Sequence, residues 1–577
     1  MLALGACSLG LVIGTRSTGL AAAPGCSSSG VIAIEAVQGS GPVSPLAGQV
    51  VTVRGVVTAN FSGENQLGGV FVQDAGPSTP VNASPGLFVE VGPSGRDLRP
   101  GMEVQLTGAV RELGGSGGRP SMTELDSLSG MAVCGTRALP EPMLLAFPLP
   151  KNLEPFEGAL VSLRGPLVVS DVYQLGRYGE LTVSPRRLFS PTNGNGLGDS
   201  ATSGDALRLV VDDGSDAQYP APTPYLSGAG LDATRRDGDQ VGEVTGVLAF
   251  LHGVWLIEPT ATLSFVNANP RPARPPEVGG NFRVASFNVL NFFTSLDSGR
   301  GATNGEEFAR QRAKLVAALR GLNADVVGLT ELENNGPTAV ANLAAALNAA
   351  LGGPVYAFTQ DPATGTGTDL IKVGFLYKQA SVKLVGFPLS DPNEVNLRLP
   401  VAQVFEPVGK ANARFIAIIN HFKAKSGCPN DGALDADAGQ GCWNDLRRRE
   451  AEALAGFAGR VQSATGVKAT ILLGDFNAYA AENPMLSLQR LGYELLTNRI
   501  PAAERYSYVY MGQAGSLDHA LVNATLTPLV TGVTEWRINA DEPPSMDYTT
   551  ARKNDDRYQP TPFRSSDHDP VLIGLHF

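Results

Sequence analysis

Only five cysteines, five histidines and three tryptophans occur in 577 residues. No cysteine stands near a histidine at zinc-ligand spacing, which argues against a zinc finger or ribbon. Positive charge is not in excess either, with 44 Lys and Arg against 55 Asp and Glu and a net charge of −11. The first 280 residues carry 17 basic and 25 acidic groups and the rest carry 27 and 30, so neither half has the basic footprint of a structural nucleic-acid binder. A polyanionic substrate would need local patches or a bound cation to offset this charge. Beyond the N-terminus no apolar run approaches the roughly 18 residues of a spanning helix, so no membrane-spanning segment is expected. No Gly-X-Y period accompanies the 68 glycines and 41 prolines, which excludes collagen. With 43% hydrophobic and 17% charged residues the chain is globular, and its length predicts about two to four domains.

The N-terminus reads as an export signal. Leu2–Ile13 is an apolar run followed by Ala21, Ala22 and Ala23 and a Ser/Gly stretch, although the first positive charge comes only at Arg16. Leu4–Cys7 also has the form of a lipoprotein cleavage box. The expected location is secreted, extracellular or at the cell surface, with the periplasm as the alternative. Removing Cys7 with the signal leaves four cysteines. The sequence-local pairing, Cys26–Cys134 and Cys428–Cys442, is one of three connectivities.

Organisation changes along the chain. Residues 30–265 hold short alternating strands punctuated by glycine, with the pattern G-x-x-V-x-[VL]-x-G-x-[VL] starting near Gly48, Gly101 and Gly158. Strands at this spacing predict small barrels or sandwiches. The expected division is a leader over 1–29, β domains over 30–138 and 139–268, a linker over 269–280 and a catalytic domain over 281–577. The linker (NPRPARPPEVGG) has four prolines that favour an extended spacer. From Asn281 strands alternate with helices at Glu306–Leu322 and Asp445–Val461. The first of these puts Phe308, Leu315, Leu319 and Leu322 on one face, with Arg310, Arg312, Lys314 and Arg320 mostly elsewhere.

The chemistry lies where strands stop. RVASF meets Asn288, DVVGLT meets Glu331, FIAII meets Asn420 and His421, and ILLG meets Asp475, Phe476 and Asn477. Ser516-Leu517 leads into Asp518-His519, and Asp567-His568-Asp569 precedes the last strand. One strand-end carboxylate is ordinarily a turn or cap residue. Six such ends in succession converge on one rim, where open α/β folds build their sites. Oxygen ligands Glu331, Asp567 and Asp475, without cysteine, suit Mg²⁺, Mn²⁺ or Ca²⁺. His421 and His568 offer proton transfer, and Asn288 and Asn477 can bond phosphoryl oxygens without adding negative charge. Together they point to metal-assisted phosphodiester hydrolysis. His252 and His576 read as surface or packing residues, and His519 should point to the face opposite Asp518.

The set F-N-V-x-N, L-x-E-x-E-N, N-H-F-K, G-D-F-N-A, L-D-H-A and S-D-H-D-P-V, in this order, resembles the endonuclease/exonuclease/phosphatase superfamily. It looks closest to the secreted ExeM/NucH-type extracellular nucleases with an N-terminal OB-like region. The resemblance covers residues 281–577 and implies a multidomain chain with N-terminal all-β OB-like modules. Its C-terminal part would be an α/β two-sheet sandwich, DNase I-like and four-layered. It implies Glu331 as the main metal carboxylate, Asn288 beside it holding metal-bound water or phosphate, and Asp567 as a second metal-side carboxylate. Asp475 and Asn477 would orient water and the scissile phosphate. His568 would be general base or transition-state donor, with Asp518 fixing its tautomer. His421 would stabilise the phosphorane or the leaving oxygen, with Asp369 as its carboxylate partner. The expected cofactor is Mg²⁺ or Mn²⁺, with Ca²⁺ structural or co-activating.

Several features are ambiguous. Lys423, Lys425 and Arg447–Arg449 could contact phosphate or form a solvated helix face, and Lys423 is the substrate-binding candidate. The loop between Cys428 and Cys442 holds Asp431, Asp435, Asp437 and Gly439, but an EF-hand counted from Asp435 would need Glu where Leu446 stands. Phe61, Phe71, Phe88, Tyr173 and Trp255 could stack bases but read better as core. The expectation is a monomeric, secreted, metal-dependent endonuclease acting on DNA, with RNA as a further substrate. The alternatives are a phosphatase or phospholipase of the same superfamily, or a non-catalytic surface-binding protein.

Overall fold

The computed structural model describes residues 26–76, 82–114, 121–199, 205–226, 228, 230–410, 413–430 and 432–577. The segment expected to be an export signal, with Cys7, and Asp431 lie outside the described residues. Among the described residues no helix is long and apolar enough to cross a membrane.

Residues 31–136 form a six-stranded sheet that closes on itself. Val50–Phe61, Gly69–Gln73, Gly86–Glu90, Met122–Thr136 and Met102–Leu113 follow one another around the barrel, and the last pairs back to the first. Only Gly86–Glu90 and Met122–Thr136 run parallel within this ring. Val53, Val70, Val72, Leu87, Val104 and Leu106 fill its interior, as alternation along each strand requires. The disulfide Cys26–Cys134 ties the segment before the first strand to this barrel.

A nine-stranded sheet follows, from Met143–Leu145 to Phe265–Val266. It abuts the barrel so closely that a Cβ on Gly86 would lie 2.1 Å from the Gly158 carbonyl carbon. Phe61, Phe71 and Phe88 are buried there against Leu160, Val247 and Leu256. Tyr173 departs from the core reading: it sits after the strand Leu167–Asp171 and is 66% exposed.

The C-terminal half has four layers. One six-stranded sheet runs Tyr356–Phe358, Ile371–Lys378, Val326–Glu333, Phe282–Phe292, Val571–Leu575, Val530–Glu535. The other runs Val382–Ser390, Val401–Pro407, Phe415–His421, Thr470–Asp475, Asp518–Asn523, Tyr493–Leu495. Val284, Val326 and Ile573 of the first sheet pack on Ala417, Ile419 and Leu473 of the second. Ile416 and Ile418 point the other way, onto the helix Asn444–Thr465. Burial on both faces is why FIAII is apolar without alternation. Helices Gly305–Leu322 and Thr338–Leu351 cover the outer face of the first sheet.

Lys314 departs from its expected outward position. It is fully buried, donates to the Phe563 carbonyl at 2.7 Å, and burial pushes its ammonium pKa down to about 7. The same helix starts on a side-chain cap, with Asn304 accepting from the Glu307 N–H at 2.9 Å. Buried Glu307 accepts in turn from Thr303 and Thr550. Burial alone would raise its pKa, but these hydrogen bonds outweigh it and depress the pKa from 4.5 to about 2. A depressed carboxylate stabilises the fold above its unfolded pKa and loses that contribution as pH falls through the folded value. Glu307→Gln should therefore lower Tm at neutral pH and flatten the fall in Tm between pH 4.5 and pH 2, read by calorimetry across that window. An unchanged acid limb would dismiss this role.

The proline-rich segment 269–280 is docked rather than a free spacer. Asn269 donates to Asp541 at 2.7 Å, Arg271 reaches Glu542 at 2.6 Å, and Val278 is buried in the C-terminal core. Arg187 and Arg236, from the nine-stranded region, complete this buried network on Asp541 and Glu542. An unpaired buried carboxylate is costly, so the acids of residues 541–542 require these arginines. Proline content set the backbone's extension but not its lack of partners. A further three-stranded sheet joins Leu188–Phe189 to Gln513–Gly515 and Tyr508–Tyr510.

The disulfide Cys428–Cys442 closes a loop before the helix Asn444–Thr465. Replacing both cysteines by serine should cost about 3 kcal/mol, the chain-entropy value for a loop of about 15 residues. Denaturant unfolding reads this loss; an unchanged midpoint would show the loop held by its other bonds.

Candidate active site

Register places the side chains. Three adjacent strands of the second sheet pair His421 with Asp475 and Asp475 with Asp518, which sets the three at one level. Opposite them, the strand Phe282–Phe292 presents Asn288 and the strand Val326–Glu333 presents Glu331, and both strands shift register there. Such bulges re-aim side chains at strand ends. Glu331 has φ 62°, Leu290 53° and Asn291 47°, backbone strain that a core strand would not retain without a compensating use. Gly474 permits the close approach on the other side, since a Cβ there would lie 1.9 Å from the Asn420 carbonyl oxygen.

Asn288 joins the two sheets, donating to Glu331 at 3.1 Å and to Asp475 at 3.2 Å. The other Glu331 oxygen accepts from the Asn291 N–H at 2.8 Å. Burial, and then the nearby Asp567, push the Glu331 pKa up. Asp475 is likewise raised by burial and by Asp518 and Glu331, against the opposing pull of His568. His421 Nε2 lies 3.5 Å from Asp475, while its buried Nδ1 has no hydrogen-bond partner. Burial, followed by Arg398, His568 and Arg300, holds His421 well below the ordinary imidazole pKa.

His568 has the opposite environment. Its Nδ1 lies 2.7 Å from Asp518 Oδ2, and its Nε2 lies 3.9 Å from Asp475. Burial opposes the imidazolium, but Asp518, Asp475 and Asp567 outweigh it and hold the pKa well above 6.5. The same Asp518 oxygen accepts from Ser507 Oγ at 2.7 Å, and the Tyr508 ring lies 4.7 Å from the imidazole. Asp569 anchors this turn by accepting from the N–H groups of Ile538 and Asn539. Asn539 in turn donates to the His568 carbonyl at 2.6 Å. Ser507, Tyr508 and Asn539 escape a reading of strand ends because none of them ends an apolar run.

The structure thus brings Asn288, Glu331, His421, Asp475, Asp518 and His568 together. Asp567 is half-buried on the same rim, with Ser566 Oγ at 3.4 Å. Asn477 follows at φ 46°, its N–H bonded to Asp475 and its amide to the Phe422 carbonyl. The pairing of Asp369 with His421 is corrected: Asp369 accepts from Arg398 at 3.3 Å, and Arg398 also donates to the Phe422 carbonyl. Arg398 thus takes the Asp369 carboxylate as its ion-pair partner, and His421 Nδ1 has no hydrogen-bond partner. Lys423 is folded over the Trp443 ring at 5.2 Å and bonded to the Ser426 carbonyl. Buried Arg447 bonds backbone carbonyls, and Arg448 and Arg449 pair with Asp445. Asp437 accepts the Gly439 N–H within its own loop, and Asp435 accepts the Leu446 N–H in the first turn of the following helix. His519 bonds Ala478 and Thr497 behind the sheet.

A divalent cation fits this donor set. Ligand atoms of Glu331, His421 and Asp475 lie within 4.8 Å of one another, as do those of Asp475, Asp518 and His568. Carboxylates of like charge drawn together at this rim, beside a buried imidazole, suit the charge and ligand needs of such a cation.

Residues 285–568 match the Endonuclease/Exonuclease/phosphatase family. The C-terminal half of the chain is therefore a domain of that superfamily, whose members hydrolyse phosphodiesters or phosphate esters and typically use divalent metals. Among solved structures, TDP2 of D. rerio complexed with single strand DNA product is 17% identical; the match covers 51% of this chain and 97% of that one, with a TM-score of 0.32. The mannosyl-6-phosphatase of Bacteroides thetaiotaomicron is 14% identical over 52% of this chain and 100% of its own, with a TM-score of 0.33. The human Nocturnin catalytic domain with bound sulfate anion is 16% identical over 51% and 93%, with a TM-score of 0.32. No curated protein matches the chain significantly.

Proposed function

We propose that the chain is a secreted, divalent-metal-dependent phosphodiesterase that hydrolyses DNA as an endonuclease. One observation carries this reading: carboxylates, imidazoles and an amide from both sheets converge on one rim, with the Asp518–His568 pair at 2.7 Å beside Glu331, Asp475 and His421. Glu331, with Asp475 and His421, would hold the cation, and Asp567 stands close enough to contribute charge. When bound, the cation supplies Lewis-acid charge at a phosphoryl oxygen and offsets the repulsion of a phosphate by these carboxylates. Asn288 ties Glu331 to Asp475 and fixes their separation. Asp518 holds the proton on His568 Nδ1, which leaves Nε2 directed toward Asp475 and the centre of the rim. Asp518 and the neighbouring carboxylates raise its pKa above the ordinary imidazole value, so Nε2 can present a proton to charge developing on phosphorus. His421, kept neutral by its burial, has on the nitrogen facing Asp475 the lone pair that ligation of a cation requires.

Two disulfides support export, since such bonds persist in oxidising compartments. The order first-second-third-fifth-fourth-first of the closed barrel supports the OB-like reading of residues 30–138. The test is closed circular plasmid incubated with Mg²⁺, Mn²⁺ or EDTA. Nicking that EDTA abolishes is the expected result. An intact plasmid alongside hydrolysis of a phosphate monoester would overturn the nuclease reading and favour a phosphatase.

A further inference from the structure

A cavity of about 860 Å³ opens between the nine-stranded sheet and the C-terminal half, and it reaches the catalytic rim. Its C-terminal wall includes Asp567, next to His568, and Tyr508, whose ring lies on the His568 imidazole. The N-terminal wall includes Tyr173, Trp255 and Arg208. Arg208 donates to the Met511 carbonyl across the gap, which fixes the spacing of the two walls. The volume falls in the range of roughly 300–1,000 Å³ typical of small-ligand sites.

The lining states what would fit. Tyr173 and Tyr510 line it and are 66% and 60% exposed, so two aromatic faces stand open to it. Asp237 also lines it, is only 3% exposed, and its Oδ1 is buried with no hydrogen-bond partner. Acidic side chains outnumber Arg208 and Arg564 around the cavity, so a phosphate chain would be repelled from its interior. A nucleobase is neutral, offers a π-face to tyrosine and presents N–H donors to a carboxyl. The position beside the scissile centre then selects which base it is.

We propose that this cavity receives the base of a nucleotide flanking the scissile phosphate, stacked on Tyr173 and Tyr510 with its polar edge toward Asp237. The β region is thereby part of the substrate site, and the inference rests on the nucleic-acid reading above. The test compares the full-length protein with the Tyr173→Ala/Tyr510→Ala variant on a single-stranded oligonucleotide and on bis(p-nitrophenyl) phosphate, a diester without a base. The variant should lose about tenfold or more in kcat/KM on the oligonucleotide, since a base–aromatic stack is worth roughly 1–3 kcal/mol. It should retain wild-type kcat/KM on the small diester. In a His568→Ala background, 2-aminopurine beside the scissile position should be quenched on binding, and the tyrosine substitutions should relieve the quench. Equal cleavage of the oligonucleotide by both proteins, or equal losses on both substrates, overturns the inference alone. Wild-type protein that hydrolyses the small diester but no oligonucleotide overturns the nuclease reading and this inference together.

Discussion

His568→Ala should lower the rate of phosphodiester cleavage at pH 7 by about 10²–10⁴-fold, the range for removing a positioned proton donor. The residue has no packing role that alanine would destroy broadly, because its backbone is held independently through Asn539 and Asp569. Its ring is held by Asp518 at 2.7 Å and capped by Tyr508, so orientation is set before substrate arrives. Asp518→Asn should show the graded effect of a positioning residue, about 10–100-fold, since an amide can present its N–H to Nδ1 and favour the wrong tautomer. Asp518 keeps Ser507 as a donor in the alanine variant, which limits the cost of leaving that carboxylate behind. The raised His568 pKa adds a pH signature: wild-type kcat should not fall as pH rises through 6.5, the ordinary imidazole value. Steady-state rates on plasmid and on a chromogenic diester, with circular dichroism to verify folding, measure both effects. A folded His568→Ala protein of near wild-type rate would remove His568 from the chemistry.

Most of the rim could be read from strand ends because burial leaves so few alternatives there. A run such as ILLG that meets Asp475 must either cap a turn or enter a site, and pairing in register with Phe415–His421 and Asp518–Asn523 decides for the second. The helices Gly305–Leu322 and Asn444–Thr465 were legible through their periodicity. What escaped depends on partners distant in sequence. Arg398 takes Asp369, and Arg271 docks the proline-rich segment on Glu542, and neither contact has a local signal. Leu188–Phe189 is too short for a period, yet its pairing with Gln513–Gly515 brings the β region against the active rim. Lys314 shows the converse case, in which a helix position assigned by charge is buried because one carbonyl, that of Phe563, is there to receive it.

Glu331→Gln should separate metal binding from folding. With Asn288 and Asn291 both donating to its carboxylate, Glu331 is geometrically satisfied, yet burial and Asp567 still raise its pKa. A carboxylate with a raised folded pKa costs stability wherever it is ionised above that value, so at pH 7 the charge is a burden on the metal-free protein. The glutamine variant without metal should accordingly match or exceed wild type in Tm. Added cation reverses the ranking: wild type gains about 2.7 kcal/mol at a concentration one hundred times Kd, and the variant gains little. Activity should fall by about 10³-fold, because the Lewis-acid contribution at phosphorus is worth several kcal/mol. Differential scanning fluorimetry against Mg²⁺ and Mn²⁺, with equilibrium dialysis of Mn²⁺, reads the binding arm without relying on turnover. Equal metal-induced shifts in the two proteins would move the cation to the other cluster, Asp475 with Asp518 and His568. That outcome would be incompatible with a protonated His568, since an imidazole that ligates a metal must give up its proton on the coordinating nitrogen. The same titration therefore decides both where the cation sits and whether His568 is free to act as a donor.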